Sequence, residues 1–233
     1  MTKRQEAQIR KQIESHRHKP YEVDIELAQG FTIKKFFVDE GVFRPDVTCA
    51  RYVAQWLFFN NGDYYGKHVV DIGSGTGLLG LTTALRGAAY VTARDISHKA
   101  FVNTHVNIAG QDLETKMSAE HADLFAAMPP YEYSKKGRYF IFNHPFFPDE
   151  PREEEPITVA MLGGKQLIHD FLMQAELVDP AAPIIMSYFH MAGETNNPAV
   201  QGPKHNYRAR ERFRINVKTG LQKGLFSIYE LRK

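Results

Sequence analysis

Cysteine is almost absent from this sequence of 233 residues, which contains only Cys49. One cysteine cannot form an internal disulfide, so a disulfide-stapled scaffold is excluded and a reducing, cytoplasmic location is expected. A lone cysteine is more often a small buried hydrophobic residue than a nucleophile. The fold must therefore rest on a hydrophobic core, which a chain of this length can bury.

Long apolar runs are also lacking. No segment approaches the roughly 18 consecutive apolar residues that a membrane-spanning helix needs. Residues 1–19 are polar and contain no apolar stretch of the kind found in secretory signals. We therefore expect no membrane partner.

Closely spaced metal ligands are a third absence. Zinc sites usually show short, regular spacings of Cys, His or Asp. The histidines outside the stretch at 142–147 show no such spacing, so the sequence predicts no metal site. They are His16, His18, His68, His98, His105, His121, His169, His190 and His205.

Neither sign of charge dominates, because the net charge is only +2. The positive charge is nevertheless concentrated in residues 204–218 and near the N-terminus. A solvated surface and a contact with a polyanion explain these regions equally well. The acidic run 149–156 is either a solvated loop or a feature that repels phosphate and favours a protein substrate. The N-terminal cations are Lys3, Arg4, Arg10, Lys11, Arg17 and Lys19.

The first third of the chain has weaker patterns. Residues 2–16 indicate a short polar helix at the periphery, and 31–43 indicate one or two short strands. Apolar residues at helical spacing predict a helix over 48–59, with Thr48 as its N-cap.

From residue 68 onward, short apolar runs alternate with segments of helical periodicity. This alternation predicts an α/β fold with a parallel sheet covered by helices on both faces. Two strand-like runs near the C-terminus predict that the sheet ends in an antiparallel hairpin. Ligands of such sheets bind at the carboxyl ends of the strands. The predicted strands are 68–73, 90–96, 138–143, 183–189, 212–220 and 224–233, and the predicted helices are 77–87, 98–110 and 163–178.

A glycine-rich turn follows the first of these strands. Gly73, Gly75 and Gly77 allow a sharp turn and a close approach of the backbone to a ligand. A dinucleotide fingerprint would require glycine at position 78, which is Leu78. Together with Asp71 just upstream, the bulky leucine suits a ligand that lacks a pyrophosphate and carries a positive charge, such as a sulfonium.

Asp95 ends the next strand, where its carboxylate could accept hydrogen bonds from ribose hydroxyls. With this acid in place, the chain resembles the class I S-adenosylmethionine-dependent methyltransferases. The segment DIGSGTG matches their first motif, and Asp95, followed by Ile96, matches their ribose-binding acid. HADLF (121–125) is similar to their third motif, which implies that Asp123 and Leu124 contact the adenine.

The resemblance covers roughly residues 36–233. It implies a Rossmann-like methyltransferase domain with a doubly wound, mostly parallel seven-stranded sheet. Residues 1–35 would then be a helical and extended appendage.

The stretch FIFNHPFF (140–147) resembles the [N/D]-P-P-[Y/F] motif of enzymes that methylate planar nitrogens. These include protein-glutamine N5 and adenine-N6 methyltransferases. The Asn143 oxygen and the next backbone carbonyl can each accept an N–H of the target and stabilise the charge that develops on nitrogen. Pro145 stiffens the loop, and Phe146 offers a face for stacking. A simple strand-ending turn, with both phenylalanines in the core, is the alternative.

His144 stands where that family has proline. A backbone carbonyl is the acceptor at this position, so histidine can still serve. The change nevertheless removes a rigid residue and adds a titratable ring. Altered substrate, reduced activity and a side-chain role for His144 all stay open, although a structural or substrate-contacting histidine is favoured over a base.

Upstream, GVFRPDVT (41–48) resembles the cofactor lid of the small methyltransferase group. By that resemblance, Phe43, Pro45 and Thr48 border S-adenosylmethionine.

The leading hypothesis is therefore an N-methyltransferase that acts on a macromolecule. Adenine in RNA is favoured slightly over a protein glutamine, because of the basic regions and the short N-terminal region. The alternatives are a non-catalytic module that binds the cofactor and an enzyme that methylates a small molecule.

Overall fold

Seven strands form one sheet in the computed structural model, which describes residues 2–130, 137–219 and 221–233. The helices are α1 (Lys3–Ser15), α2 (Ala50–Phe59), α3 (Leu78–Leu85), α4 (His98–Gly110), α5 (Leu167–Val178) and α6 (Pro198–Lys204). The strands are β1 (Tyr21–Ala28), β2 (Phe31–Val38), β3 (His68–Ile72), β4 (Tyr90–Asp95), β5 (Met117–His121), β6 (Arg138–Phe142), β7 (Ile184–Phe189), β8 (Arg208–Lys218) and β9 (Lys223–Arg232).

The order of strands in this sheet is β5-β4-β3-β6-β7-β9-β8. The first five strands pair in parallel, and β9 pairs antiparallel with both β7 and β8. The predicted fold class is therefore confirmed, including the final hairpin. After β3 the chain continues to strands on one side of the sheet, and after β6 it continues to strands on the other side. The neighbours β3 and β6 therefore flank the switch point where such sheets bind ligands. Ile72 and Phe142 are paired across them, so Gly73 and Asn143 follow at equivalent positions.

The two central strands on the far side of this switch point are buried along their whole length. Every residue of β6 and β7 is buried, as expected for strands covered by helices on both faces. This explains why the sequence predicts both strands so clearly. The edge strand β5 has the polar sequence MSAEH and is buried only at its start. Sequence periodicity therefore did not predict it.

An antiparallel hairpin of β1 and β2 precedes the main sheet. Of the one or two short strands predicted over 31–43, the structure has one, β2, which is followed by the start of the lid, whereas β1 was not predicted. Asn107 of α4 both accepts from the Phe37 N–H and donates to the Phe37 carbonyl, at 2.8 Å each, which fixes the hairpin to α4. The hairpin crosses residue 35, and the division of the chain there stays a prediction.

Helix α2 begins later than predicted. Its N-cap is Cys49, which makes no side-chain capping bond, and the Thr48 hydroxyl instead donates to the Arg44 carbonyl at 2.8 Å. The prediction of Thr48 as the N-cap is therefore wrong. Cys49 itself is buried, as expected.

Two further findings concern the described residues as a set. No helix among them is both long and apolar enough to cross a membrane. Within the same ranges, no group of three or more His, Cys, Asp or Glu residues is arranged to hold a metal ion.

Candidate active site

A cavity lies at the carboxyl ends of the parallel strands, between the glycine loop, the lid after β2 and residues 142–163. Most of the site residues predicted from the sequence line it together. They are Phe43, Pro45, Gly73, Gly75, Leu78, Asp95, Ile96, Asp123, Leu124, Asn143, His144, Pro145 and Phe146. Thr48, Asp71 and Gly77 are not among the lining residues.

The glycines of the loop serve two different purposes. Gly73, Gly75 and Gly77 all have left-handed φ values, which side chains other than glycine rarely adopt. A Cβ at Gly75 would meet nothing within 4 Å, so this residue keeps the cavity floor open. A Cβ at Gly77 would lie 2.9 Å from Thr104 Cγ2. Gly77 is therefore required by the packing of α3 on α4 and not by an approach to the ligand.

Asp71 is buried behind the loop and does not face the cavity. Its Oδ2 accepts the Gly80 N–H at 2.8 Å, and its Oδ1 has no hydrogen-bond partner within the described residues. Burial raises its pKa to about 7. The sequence-based idea that this acid attracts a cationic ligand directly is therefore wrong, because Asp71 instead fixes the start of α3 below the loop.

Asp95 joins the end of β4 to the glycine loop. Its Oδ2 accepts the Gly75 N–H and its Oδ1 accepts the Ser97 N–H, both at 2.8 Å. Burial raises the pKa of Asp95, while these two bonds oppose the rise. Each carboxylate oxygen has a further lone pair, so the group is held in one orientation and can still accept from a ligand.

The next strand end contributes the residues of the third motif. Leu124 is almost fully buried and has a left-handed φ of 40°, whereas Asp123 is exposed at the rim. An apolar side chain and a carboxylate thus lie side by side on the β5 side of the cavity.

Asn143 follows β6 and is half-buried on the opposite side of the loop. Its Oδ1 accepts a short hydrogen bond from the Ser187 hydroxyl of β7. A carbonyl oxygen has two lone pairs, so Oδ1 can accept one more N–H. Ser187 was not predicted as a site residue, because a lone serine in a buried strand has no distinguishing pattern.

The His144 ring is buried among aromatic side chains. It stacks on Tyr188 with ring centres 5.9 Å apart, and it lies edge-on to Phe146. Nδ1 donates to the Pro145 carbonyl at 2.9 Å, since a carbonyl can only accept. Burial lowers the pKa of His144 to about 4, so the ring is neutral at physiological pH.

This packing makes His144 a structural residue whose ring fills the space beneath the loop. Within the described residues, no hydrogen bond engages its own backbone carbonyl. Phe146 is 8% exposed and packs edge-on against Tyr188, so it both lines the cavity and belongs to the core. The two interpretations of this phenylalanine from the sequence are therefore compatible.

Residues 148–164 form the roof over this part of the cavity. The Phe147 N–H donates to Met161 and the Gly163 N–H donates to Phe147, which closes the segment into a loop. The acidic run lies in this roof, and Arg152 within it pairs with Glu6 of α1 at 3.0 Å.

Helix α1 reaches the cavity through Gln12, and Gln222 reaches it from just before β9. Neither glutamine was predicted, since glutamine has no motif here and both lie far from the loop in sequence. His16 stacks on Phe43 of the lid with ring centres 4.8 Å apart. The N-terminal helix is therefore part of the cavity wall.

A family model described as the methyltransferase small domain matches residues 45–164, just over half of the chain. The chain belongs to this family. The resemblance drawn from the sequence is thereby confirmed, and with it the assignment to the S-adenosylmethionine-dependent methyltransferases at the level of the family.

Two curated relatives are named tRNA1(Val) (adenine(37)-N6)-methyltransferase. The one from Vibrio parahaemolyticus is 26% identical over 63% of this chain and 59% of its own length. The one from Vibrio cholerae is 27% identical over 65% of this chain and 62% of its own length. The alignment thus spans about three fifths of these relatives.

Among solved structures, the 16S rRNA N2 G1207 methyltransferase of T. thermophilus is similar in fold. It was solved with AdoMet and guanosine, and it matches with a TM-score of 0.62 and 15% identity. The match covers 93% of this chain and 51% of that protein. At this identity the likeness establishes the methyltransferase fold.

Proposed function

We propose that this member of the small methyltransferase family transfers a methyl group from S-adenosylmethionine to the exocyclic amine of an adenine in RNA. The observation that carries the proposal is the position of Asn143. It follows β6 directly beside the glycine loop that follows β3, in a shared cavity.

The cavity residues fit the donor. Asp95 offers carboxylate lone pairs for ribose hydroxyls, and Leu124 with Asp123 offers an apolar contact and an acceptor for an adenine. Gly75 adds no side chain of its own, and a Cβ there would lie in open space. When bound, the donor supplies an electrophilic methyl group on a sulfonium.

This chain's own residues would then prepare the acceptor nitrogen. The amine of adenine is a poor nucleophile because its lone pair is delocalised into the ring. Asn143 Oδ1 and the His144 carbonyl can each accept one N–H, which holds the amine and stabilises positive charge on it. Ser187 keeps the amide turned, and the neutral His144 ring adds no competing positive charge. A strong base is not required at this step.

The choice of RNA rests on charge and on the relatives' names. Arg208 and Arg210 of β8 are exposed, and no ion pair of either is found within the described residues. One carboxylate of the acidic roof, Glu155, is paired with Arg17 and with Arg152. The roof therefore repels the phosphate groups of RNA less than its sequence suggested. Both curated relatives are named as tRNA adenine-N6 methyltransferases.

The test is transfer of tritiated methyl groups from S-adenosylmethionine to total tRNA, followed by digestion to nucleosides. We expect label in N6-methyladenosine. Asn143→Ala should reduce the rate by at least about a hundredfold, the effect of removing one preorganised group at a transition state. Asn61→Ala is the matched control, because Asn61 bonds to the Arg86 carbonyl away from the cavity.

Other outcomes separate the alternatives. Label in N5-methylglutamine after digestion with proteases, without acid hydrolysis, would identify a protein substrate. Label found only in the low-mass fraction would identify a small-molecule substrate. Binding of S-adenosylmethionine without any transfer would indicate a non-catalytic module. Each of these results would contradict the proposal for RNA.

A further inference from the structure

The side-chain amide nitrogen of Gln12 is buried and lacks a hydrogen-bond partner among the described residues. Its side chain projects from α1 into the wall of the cavity, and the residue is only 2% exposed. No hydrogen bond of its Nε2 is found within the described residues. A buried donor without a partner is energetically unfavourable, so such a group at a binding cavity indicates a missing acceptor.

The same wall contains the N-terminus of α2. Ala50 is the first residue of this helix, lines the cavity and is 7% exposed. The first N–H groups of a helix have no partner within the helix and carry partial positive charge. The Cys49 N–H donates to Gln222 Oε1 at 2.6 Å, which places the Gln222 amide at this helix end as well. Neutral donors therefore converge on one corner of the cavity.

We propose that this corner binds the α-carboxylate of S-adenosylmethionine, with Gln12 Nε2 and the N-terminus of α2 as the donors. The inference deepens the proposed function and depends on it. It assigns to the N-terminal helix a direct contact with the cofactor.

The order of the strands supports this orientation. Asp123 follows β5 and Asp95 is the last residue of β4, so the proposed adenine and ribose contacts lie at one side of the sheet. The methyl group must face Asn143, which follows β6. The amino-acid end of the donor then turns towards the lid, where Gln12 and Ala50 lie.

Helix α1 is held firmly enough to place this amide. The Arg44 N–H donates to His16 Nε2 at 2.9 Å, and His16 Nδ1 donates to the Gln12 carbonyl at 2.6 Å. One turn earlier, Gln8 Nε2 donates to the Leu221 carbonyl at 2.6 Å. Gln8 therefore contributes to the docking of α1 without lining the cavity, which makes it a matched control.

Calorimetry with two ligands tests the proposal. S-adenosylmethionine and its decarboxylated form share the adenosine, the sulfonium and the amine, and differ in the carboxylate. Gln12→Ala should weaken binding of S-adenosylmethionine by about ten- to hundredfold, as expected for a hydrogen bond to a charged group. Binding of the decarboxylated form should change by less than about threefold. Gln12→Glu should weaken the binding of S-adenosylmethionine further, because the new side-chain carboxylate repels the carboxylate of the cofactor.

The controls make each result decisive. Gln8→Ala should leave both affinities within about threefold, and circular dichroism should show every variant folded. If Gln12→Ala does not fold, Gln12→Met is tested in its place, because methionine keeps the length of the side chain but has no hydrogen-bond donor. The inference is overturned if Gln12→Ala lowers the affinity for both ligands equally, lowers neither affinity, or weakens only the binding of RNA. If the unaltered protein binds neither ligand, the proposed function itself fails.

Discussion

At the scale of single residues, Ser187 controls the orientation of Asn143 by donating its hydroxyl hydrogen to Oδ1. Ser187→Ala should free the amide to rotate and reduce kcat by about five- to tenfold, the equivalent of one net hydrogen bond. The KM for S-adenosylmethionine should stay within about twofold. Ser187→Thr keeps a hydroxyl and should restore most of the rate. Steady-state kinetics of the three proteins check this, and equal losses in both variants would contradict it.

His144 makes folding stability depend on pH. Its pKa is about 4 in the folded protein and near 6.5 when exposed. Between these values the unfolded chain binds more protons, so stability is complete above about pH 6.5 and falls as the pH decreases towards 4. The group should account for about 3 kcal/mol over this range.

Urea unfolding at several pH values tests that prediction with His144→Phe, which fits the aromatic surroundings. The difference in free energy of unfolding between the two proteins should shrink or reverse in favour of the variant as the pH falls. His16 and His68, whose pKa values burial also lowers to about 4, keep part of the pH dependence in both proteins. A difference that does not vary with pH would disprove the role of His144.

At the scale of the elements, two positions of the glycine loop distinguish the stability cost of backbone strain from that of a steric clash. Gly75 and Gly77 both have left-handed φ values, so alanine costs about 1–2 kcal/mol at either position. Only at Gly77 would the new Cβ press on Thr104. Gly77→Ala should therefore lower the free energy of unfolding by about 1–3 kcal/mol more than Gly75→Ala. Urea titrations of both variants measure this difference, and equal values would refute it.

The elements also show what the sequence can predict. Buried strands such as β6 and β7 appear as continuous apolar runs, and the glycine turn and the Asn-His-Pro stretch are local in sequence, so all of these were predicted. Thr48 and Asp71 were misinterpreted because residue type does not reveal where a side chain points. Gln12 lines the cavity only because α1 packs against the lid in the folded protein, and no local sequence pattern predicts this position.

At the scale of the whole molecule, the exposed arginines of β8 should determine how strongly salt weakens RNA binding. Each phosphate contact contributes about 0.7–0.9 to the slope of log K against log salt. Arg208→Ala with Arg210→Ala should therefore lower that slope by about 1.5. Lys116→Ala is the control, because Lys116 is an exposed cation just before the amino end of β5. Fluorescence anisotropy with labelled tRNA measures the slopes, and an unchanged slope in the double variant would rule out this surface.

The hydrogen bond from Cys49 to Gln222 joins two parts of the chain that are far apart in sequence. A fragment cut before Gln222 would still contain the glycine loop and Asp95, yet its cavity would lack one wall. We therefore expect that such a fragment keeps every motif of the family and still fails to retain S-adenosylmethionine tightly.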